Sequence, residues 1–203
     1  MTVVQPRTRA VGIVLAAGAG RRFGGDKVLA ALNGRPLVAH VLAAARAGGI
    51  DELVVVGGED PAPLREAIGD EAVVVANVLA HVGQATSVQR GLEAAERSLA
   101  SVAALLLGDE PGIDPDVIRR VIDAGHDVPA RAVYRDGPGH PVVLPRAYWE
   151  EVAAGVWGDA GARTVLTHLH VRDVNIDAPR PLDVDRPSDL QAAAEPLASR
   201  HDD

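Results

Sequence analysis

Residues 15–27 read LAAGAGRRFGGDK. Four glycines, Gly18, Gly20, Gly24 and Gly25, fall close together, with Arg21, Arg22 and Lys27 among and after them. Glycine lets backbone N–H groups turn toward an anion, and cations cancel its charge. The stretch therefore reads as a phosphate-holding loop. Lys27 is the only lysine in the chain; the other 19 basic residues are arginines. A GC-biased codon supply would explain the arginines. A lysine placed in the one glycine-rich loop suggests that a compact, flexible ammonium is needed there.

Further along, Asp109 directly follows the apolar run Val102–Leu107 and Gly108. A carboxylate at the end of a strand can hold Mg²⁺ against a phosphate, or it can simply make the turn before Pro111. Glu110 is either its helper or a solvated neighbour. Asp183 and Asp185 alternate ahead of a final helix, which leaves two readings open. They complete a metal site, or Asp185 or Ser188 caps the helix. His140, between Gly139 and Pro141, can wall a substrate pocket. His168 and His170 are two apart near an expected helix end, a poor spacing for a metal pair. Gly18-x-Gly20-x-x-x-Gly24 also resembles a dinucleotide-binding turn. Against that, Gly24-Gly25-Asp26 is a poor helix start, and Gly57-Gly58 stands where an acidic residue should end the second strand. Glu59 is the nearest candidate. No Gly-Lys-Ser/Thr is present, so the P-loop motif fails.

These residues need a scaffold. At 203 residues the chain reads as a single domain, able to bury roughly 70–75% of its unfolded surface. Apolar residues are 47% but aromatics only 2%. The core must be Val, Leu, Ile and Ala, which suits a buried parallel sheet under helices. Without cysteine there is neither a disulfide framework nor a thiolate metal site. No signal peptide and no apolar span of about 18 residues stands out, so a cytoplasmic protein is expected. A net charge of −8 argues against a nucleic-acid polymer as partner.

The patterning predicts strands at Val11–Leu15, Leu53–Val56, Ala72–Ala76, Val102–Leu107, Ala130–Tyr134, Pro141–Leu144 and Val171–Ile176. Helices are expected from Pro36 to Ala47, Pro61 to Ile68, Thr86 to Leu99 and Pro115 to Ala124, at 146–154 and 160–169, and from near Pro187. Thr86 or Ser87 is the expected cap of the third helix and Asp114 of the fourth. Residues 1–9 and 197–203 read as frayed ends. The alternation predicts a three-layer α/β/α, doubly wound, mostly parallel mixed sheet of Rossmann-like type. Its ligands should bind at the carboxyl ends of the strands, where the loop after strand 1 and Asp109 both lie.

Leu15-Ala16-Ala17-Gly18-x-Gly20-x-Arg22-Phe23-Gly24-x-x-Lys27 resembles the signature of the molybdenum-cofactor nucleotidyltransferases. The likeness continues through Asn33-Gly34-Arg35-Pro36-Leu37, Gly83 with Ser87 and Gly91-Leu92, and Leu107-Gly108-Asp109-Glu110-Pro111. At Glu110 the family more often has Gln. Gly139-His140-Pro141-Val142, Gly158-Asp159-x-Gly161-Ala162-Arg163 and Asp183-Val184-Asp185-x-Pro187-x-Asp189-Leu190 are similar to the cytidylyltransferase branch. So is Ala16-Ala17-Gly18, where the guanylyltransferase branch has Ala-Gly-Gly. The resemblance implies a catalytic set of Arg22, Lys27 and Asp109. It implies a nucleotide set of Leu15, Ala16, Ala17, Gly18, Ala19, Gly20 and Ser87, with His140 and the segment 158–163 shaping the acceptor site. Mg²⁺ or Mn²⁺ would sit on Asp109 and Asp185. The implied reaction joins CMP from CTP to the phosphate of a molybdopterin-type molecule and releases pyrophosphate. A molybdoenzyme or its maturation chaperone would be a further partner, with no membrane involved. A guanylyltransferase or other NTP transferase with a different acceptor, an NAD(P)-dependent oxidoreductase and a non-enzymatic cofactor chaperone are the competing readings.

Overall fold

The computed structural model describes residues 8–18 and 20–198. Ala19 of the expected nucleotide loop, and residues 1–7 and 199–203 of the expected frayed ends, lie outside them. Strand β1 (Ala10–Leu15) is buried at all six positions, as a continuous apolar run requires when helices cover both faces of a parallel sheet. The glycine-rich loop follows and closes on a single 3₁₀ turn, Lys27–Leu29. The two-residue strands β2 (Ala31–Leu32) and β3 (Arg35–Pro36) then form a hairpin. Asn33 and Gly34 join them with φ of 49° and 78°, the left-handed pair that a two-residue hairpin turn demands. The expected helix opening at Pro36 therefore starts one residue later, as α1 (Leu37–Ala47).

The remaining elements are β4 (Glu52–Gly57), α2 (Ala62–Ile68), β5 (Val73–Ala76), α3 (Gln84–Ala95), β6 (Val102–Leu107), α4 (Pro115–Ala124), β7 (Ala130–Tyr134), β8 (Gly137–Pro145), α5 (Trp149–Gly155), α6 (Arg163–Leu166), β9 (Arg172–Asn175) and α7 (Asp189–Ala198). Strand and helix alternate up to β7, after which β8 follows β7 directly and α6 follows α5. Seven strands make one sheet in the order β5-β4-β1-β6-β8-β7-β9. β8 runs antiparallel to both β6 and β7, and every other pairing is parallel. The mostly parallel mixed sheet is thus the expected fold class. Strand order reverses beside β1, so the loops after β1 and β6 open onto one crevice.

Side-chain alternation along β1 splits the core in two. Ala10 and Val14 pack toward α1, α2 and α4. Val11, Ile13 and Leu15 pack toward α3, α5 and α6. A third, smaller cluster holds Leu32, Leu37, Val184 and Ala193, with Phe23 and Leu190 against it. This cluster seats α7 on the β2–β3 hairpin and so fixes the segment 183–185.

Several expected boundaries shift. Helix α3 starts at Gln84 behind Gly83, with no side-chain cap, so neither Thr86 nor Ser87 caps it. Thr86 Oγ1 lies 2.8 Å from Gly83 O, and Ser87 accepts from Asn77. The helix ends at Ala95 rather than Leu99, which is exposed. Asp114 does cap α4, accepting from the Asp116 N–H at 2.8 Å. The helix expected at 160–169 is reduced to the 3₁₀ turn Gly158–Ala160 and the short α6, divided at Gly161 with φ +53°. β8 begins at Gly137, inside the stretch read as a connection. α7 starts at Asp189 rather than Pro187 and runs to Ala198. At the other end, Arg9 is tied in, its carbonyl accepting from the Ser101 N–H. Among the described residues no helix is long and apolar enough to cross a membrane.

Helix α3 lies so close to β1 that a Cβ on Gly91 would stand 2.3 Å from Ile13 Cγ2 and 3.3 Å from Val56 Cγ2. Gly91→Ala should therefore cost about 1–3 kcal/mol by overpacking, a fall of several degrees in thermal midpoint. An unchanged midpoint in a melting experiment would show that α3 is not seated on β1 as described.

Candidate functional site

The site begins where β1 ends. Leu15, Ala16, Ala17 and Gly18 line a cleft of about 400 Å³ together with Lys27, Gln84, Ser87, Asp109 and Asp159. A neighbouring cleft of about 350 Å³ shares Ala16–Gly18 and Arg21, and runs on to Glu59, Asp60, Asn77 and His81. Gly20 ties the loop. Its carbonyl accepts the N–H of Phe23 and of Gly24, both at 2.9 Å. Its φ is +53°, and a Cβ there would lie 1.8 Å from the Gly25 carbonyl oxygen. Only glycine fits this knot.

Lys27 and Asp109 of this cleft join two further charged side chains, Asp185 and Arg22. Lys27 Nζ forms a close ion pair with Asp109 and lies 3.1 Å from Asp185 Oδ1. Arg22 takes the other Asp185 oxygen at 2.8 Å. Lys27 and Asp109 are largely buried, Asp185 is one-third exposed, and Arg22 is exposed. Burial works against the lysine's charge. The hydrogen bonds and charges of Asp109 and Asp185 outweigh it and hold the ammonium above its ordinary pKa.

The segment that delivers Asp185 is pinned three ways. Val184 is fully buried and its N–H donates to the Asp109 carbonyl at 3.0 Å. Asp189 Oδ2 accepts the N–H groups of Asp185 and Arg186 at 3.0 and 2.8 Å. Of the two readings left open from sequence, the Asp185 carboxylate thus goes to the cations, and Asp189 binds the backbone ahead of α7. Asp183 faces the same acidic side. Burial, then the charges of Glu110 and Asp109, push its carboxyl up to about 6.

Beyond Asp109 lies a second group. Glu110 is only 5% exposed, not the solvated neighbour that the sequence allowed. One of its oxygens is 3.6 Å from His140 Nδ1, and the other is buried without a hydrogen-bond partner. Burial would make His140 less basic. Its contact with Glu110 and the charges of Glu110, Asp183 and Asp109 prevail and raise its pKa. His140 opens onto a separate pocket with Arg131, Arg163 and Gln84.

The structure brings Leu15, Ala16, Ala17, Gly18, Lys27, Ser87 and Asp109 to one cleft. Arg22 reaches Asp185 and is not among the lining residues, whereas Arg21 lines both clefts. Gly20 shapes the loop, and His140 belongs to the adjoining pocket. Asn77 is a residue that sequence reasoning left unassigned. It is buried, its Nδ2 donates to Thr86 Oγ1 and Ser87 Oγ at 2.9 Å, and its Oδ1 accepts the Leu79 N–H. Its only sequence signal is its place just after an apolar strand. His168 and His170 play no part in these clefts.

Among the described residues no group of three or more acidic, histidine or cysteine side chains could hold a metal ion. Asp109 and Asp185 nonetheless converge on one cation, the Lys27 ammonium. Mg²⁺ commonly uses one or two carboxylates plus substrate phosphates, so this sparse pair fits such an ion.

Residues 12–174 match the family described as MobA-like NTP transferase domain. The chain is 35% identical over 113 residues to a probable molybdenum cofactor guanylyltransferase of Thermococcus gammatolerans, covering 55% of this chain and 54% of that protein. It is 33% identical over 165 residues to a nicotine blue oxidoreductase of Paenarthrobacter nicotinovorans, covering 76% of this chain and 80% of that one. The chain therefore spans about half the length of the guanylyltransferase. It spans about a quarter of the bifunctional GlmU proteins that it also matches. Among solved structures, Rv0371c of Mycobacterium tuberculosis H37Rv in complex with manganese superposes with a TM-score of 0.78 at 30% identity. That likeness covers 93% of this chain and 99% of the other. The family match runs from β1 into β9 and takes in both clefts; this chain belongs to the MobA-like NTP transferase family.

Proposed function

We propose that this MobA-like NTP transferase moves the CMP of CTP onto the phosphate of a molybdopterin-type molecule and releases pyrophosphate. The observation that carries this reading is the ion-pair cluster of Arg22, Lys27, Asp109 and Asp185, two members of which line a glycine-containing cleft. In the reaction an acceptor phosphate oxygen attacks the α-phosphorus, and the bond from that phosphorus to the bridging oxygen of pyrophosphate breaks. The acceptor oxygen is already ionised, so no protein nucleophile or strong base is needed. Alignment and charge neutralisation supply the rate.

Each residue then has a task. The Gly18–Gly20 backbone and Arg22 hold the triphosphate. Lys27 leaves the two carboxylates and neutralises phosphate charge as the attack develops. Ser87, whose oxygen already accepts from Asn77, keeps its own proton for the nucleotide. Asp109 and Asp185 would hold a divalent cation, Mg²⁺ or Mn²⁺, which when bound draws negative charge off the phosphates. The manganese complex of the related mycobacterial protein supports that choice. The reading takes the chain as a single nucleotidyltransferase unit over 1–203, in the cytoplasm, serving a molybdoenzyme or its maturation chaperone.

CTP is preferred because Ala16-Ala17-Gly18 resembles the cytidylyl branch. GTP is the alternative, since one relative is named a guanylyltransferase. A second reading, NAD(P)-dependent oxidation and reduction, draws on the relative named an oxidoreductase and on Glu59 and Asp60, which line the cleft beside Gly18. An acidic side chain there can bind a ribose hydroxyl of a dinucleotide.

A melting panel of CTP, GTP, ATP, UTP and NADPH, each with and without Mg²⁺, separates these readings. CTP at about a hundred times its dissociation constant should add roughly 2.7 kcal/mol only when Mg²⁺ is present, and more than GTP does. A Mg²⁺-independent shift with NADPH alone would move the protein to the oxidoreductase class. Lys27→Ala should lose about 2–4 kcal/mol of transition-state stabilisation in a pyrophosphate-release assay. Activity within about threefold of wild type would sink the assigned role. Without nucleotide, the same variant should bind Mn²⁺ more tightly than wild type in an electron paramagnetic resonance titration, because the ammonium no longer occupies Asp109 and Asp185. Unchanged or weaker Mn²⁺ binding would remove these carboxylates from the metal site.

A further inference from the structure

Glu110 is a buried carboxylate that the proposed mechanism does not use. It follows Asp109 in the chain, is 5% exposed, and keeps one oxygen buried with no partner. Such an arrangement is costly, because a carboxylate removed from water needs its lone pairs filled. A residue serving only the fold would do better here as an apolar or amide side chain. Its other oxygen faces His140 Nδ1 at 3.6 Å, within ion-pair range but too long for a formed hydrogen bond. Contacts of this kind in substrate-free sites often tighten when ligand arrives.

His140 is constrained from its backbone as well. Its carbonyl accepts the Tyr134 hydroxyl at 2.7 Å, and Tyr134 is itself buried. With the backbone held there and Nδ1 turned to Glu110, the ring has its Nε2 edge left to offer. The side chain is 26% exposed, and it opens onto the pocket that Arg131 and Arg163 also line. Arg131 gives its Nε to Asp173 at 2.7 Å, yet it and Arg163 bring positive charge to this pocket, and a histidine N–H on the same wall is suited to a phosphate monoester oxygen.

We propose that Glu110 is a positioning residue: it holds His140 by Nδ1 so that Nε2 donates to the phosphate monoester of the acceptor, beside Arg131 and Arg163. This rests on the reading of His140 as part of the acceptor side. It adds the phosphate as the group that His140 contacts, and Glu110 as the group that aims it. Glu110 touches neither substrate nor nucleotide in this arrangement.

The test uses the full chain with ¹⁵N-labelled histidine and follows the His140 ring resonances. Saturating Mg²⁺ and a non-hydrolysable CTP analogue first fill the triphosphate site, and phenyl phosphate is then titrated as the monoester probe. Failure of the analogue to bind wild type would count against the proposed function, and phenyl phosphate titrated alone would still test the pair. In wild type the Nε2 signal should move with phenyl phosphate. In Glu110→Gln the probe should bind at least about tenfold more weakly, while analogue affinity stays within about twofold and the thermal midpoint does not fall. His140→Gln, read through protein fluorescence or calorimetry, should show a similar loss. The double variant should lose little more, because the two residues act as one unit. Equal probe binding in wild type and Glu110→Gln would overturn the proposal. So would additive losses in the double variant, or a lowered midpoint with equal loss of analogue and probe.

Discussion

The lysine between two aspartates is the contact on which the site depends. Lys27 leaves the loop after β1, Asp109 stands at the end of β6, and Asp185 lies 158 residues beyond the lysine, ahead of α7. One ammonium joins all three. A guanidinium is planar and presents its donors in a fixed fork, whereas an ammonium gives three donors from a compact centre and can meet carboxylates from different directions. Without that cation, two carboxylates would face each other in a largely buried cleft, which is unfavourable. The same contact is well suited to exchange. Phosphates offer the lysine equivalent anionic partners, and a divalent cation offers the aspartates an equivalent positive charge.

The rest of the architecture delivers those charges. Parallel strands β1 and β6 lie side by side, and their carboxyl ends open onto one crevice. On one flank, the Asn77–Gly83 loop is locked through Asn77 to Thr86 and Ser87 at the start of α3. On the other, antiparallel β8 brings His140 up beside Glu110. The third small core, built on Leu32, Leu37 and Val184, holds the chain before α7 against the β2–β3 hairpin. The glycine-lined cleft thus comes mainly from the amino-terminal, parallel part of the sheet, with Asp159 added from the later part. The pocket with His140, Arg131 and Arg163 comes from the later, mixed part. Although the net charge is −8, five of the 20 basic side chains, Arg21, Arg22, Lys27, Arg131 and Arg163, gather around the cleft and the pocket.

Where local pattern and burial agreed, sequence and structure coincide. Val11–Leu15, Leu53–Val56 and Val102–Leu107 are apolar runs that only a covered parallel strand accommodates, and all three are central strands. Asp114 followed by Pro115 caps a helix through its own side chain, an interaction spanning two residues. The departures come where the deciding contact is remote. The helix expected over 160–169 is cut at Gly161, whose φ of +53° keeps it beside Gln84 of α3. α3 opens behind Gly83, which is backed against the Gly158 carbonyl group, and no side-chain cap is needed. β8 extends down to Gly137 because Tyr134 and Ala132 of β7 pair with it.

The same division runs through the site. By itself the sequence determined the glycine-rich loop after β1, the singular lysine, the carboxylate ending β6 and the order of elements that carries them to one edge of a sheet. These follow from short-range facts: glycine's backbone freedom, apolar periodicity, and a residue's place next to a strand. Only the tertiary structure decided which carboxylates Lys27 joins, that Asp185 turns to cations while Asp189 binds the backbone, and that Asn77 holds Ser87. Only it showed Glu110 inside beside His140 rather than in solvent. The physical reason is that charge partnership and burial belong to pairs of segments far apart in the chain, and they exist only once packing has brought those segments together.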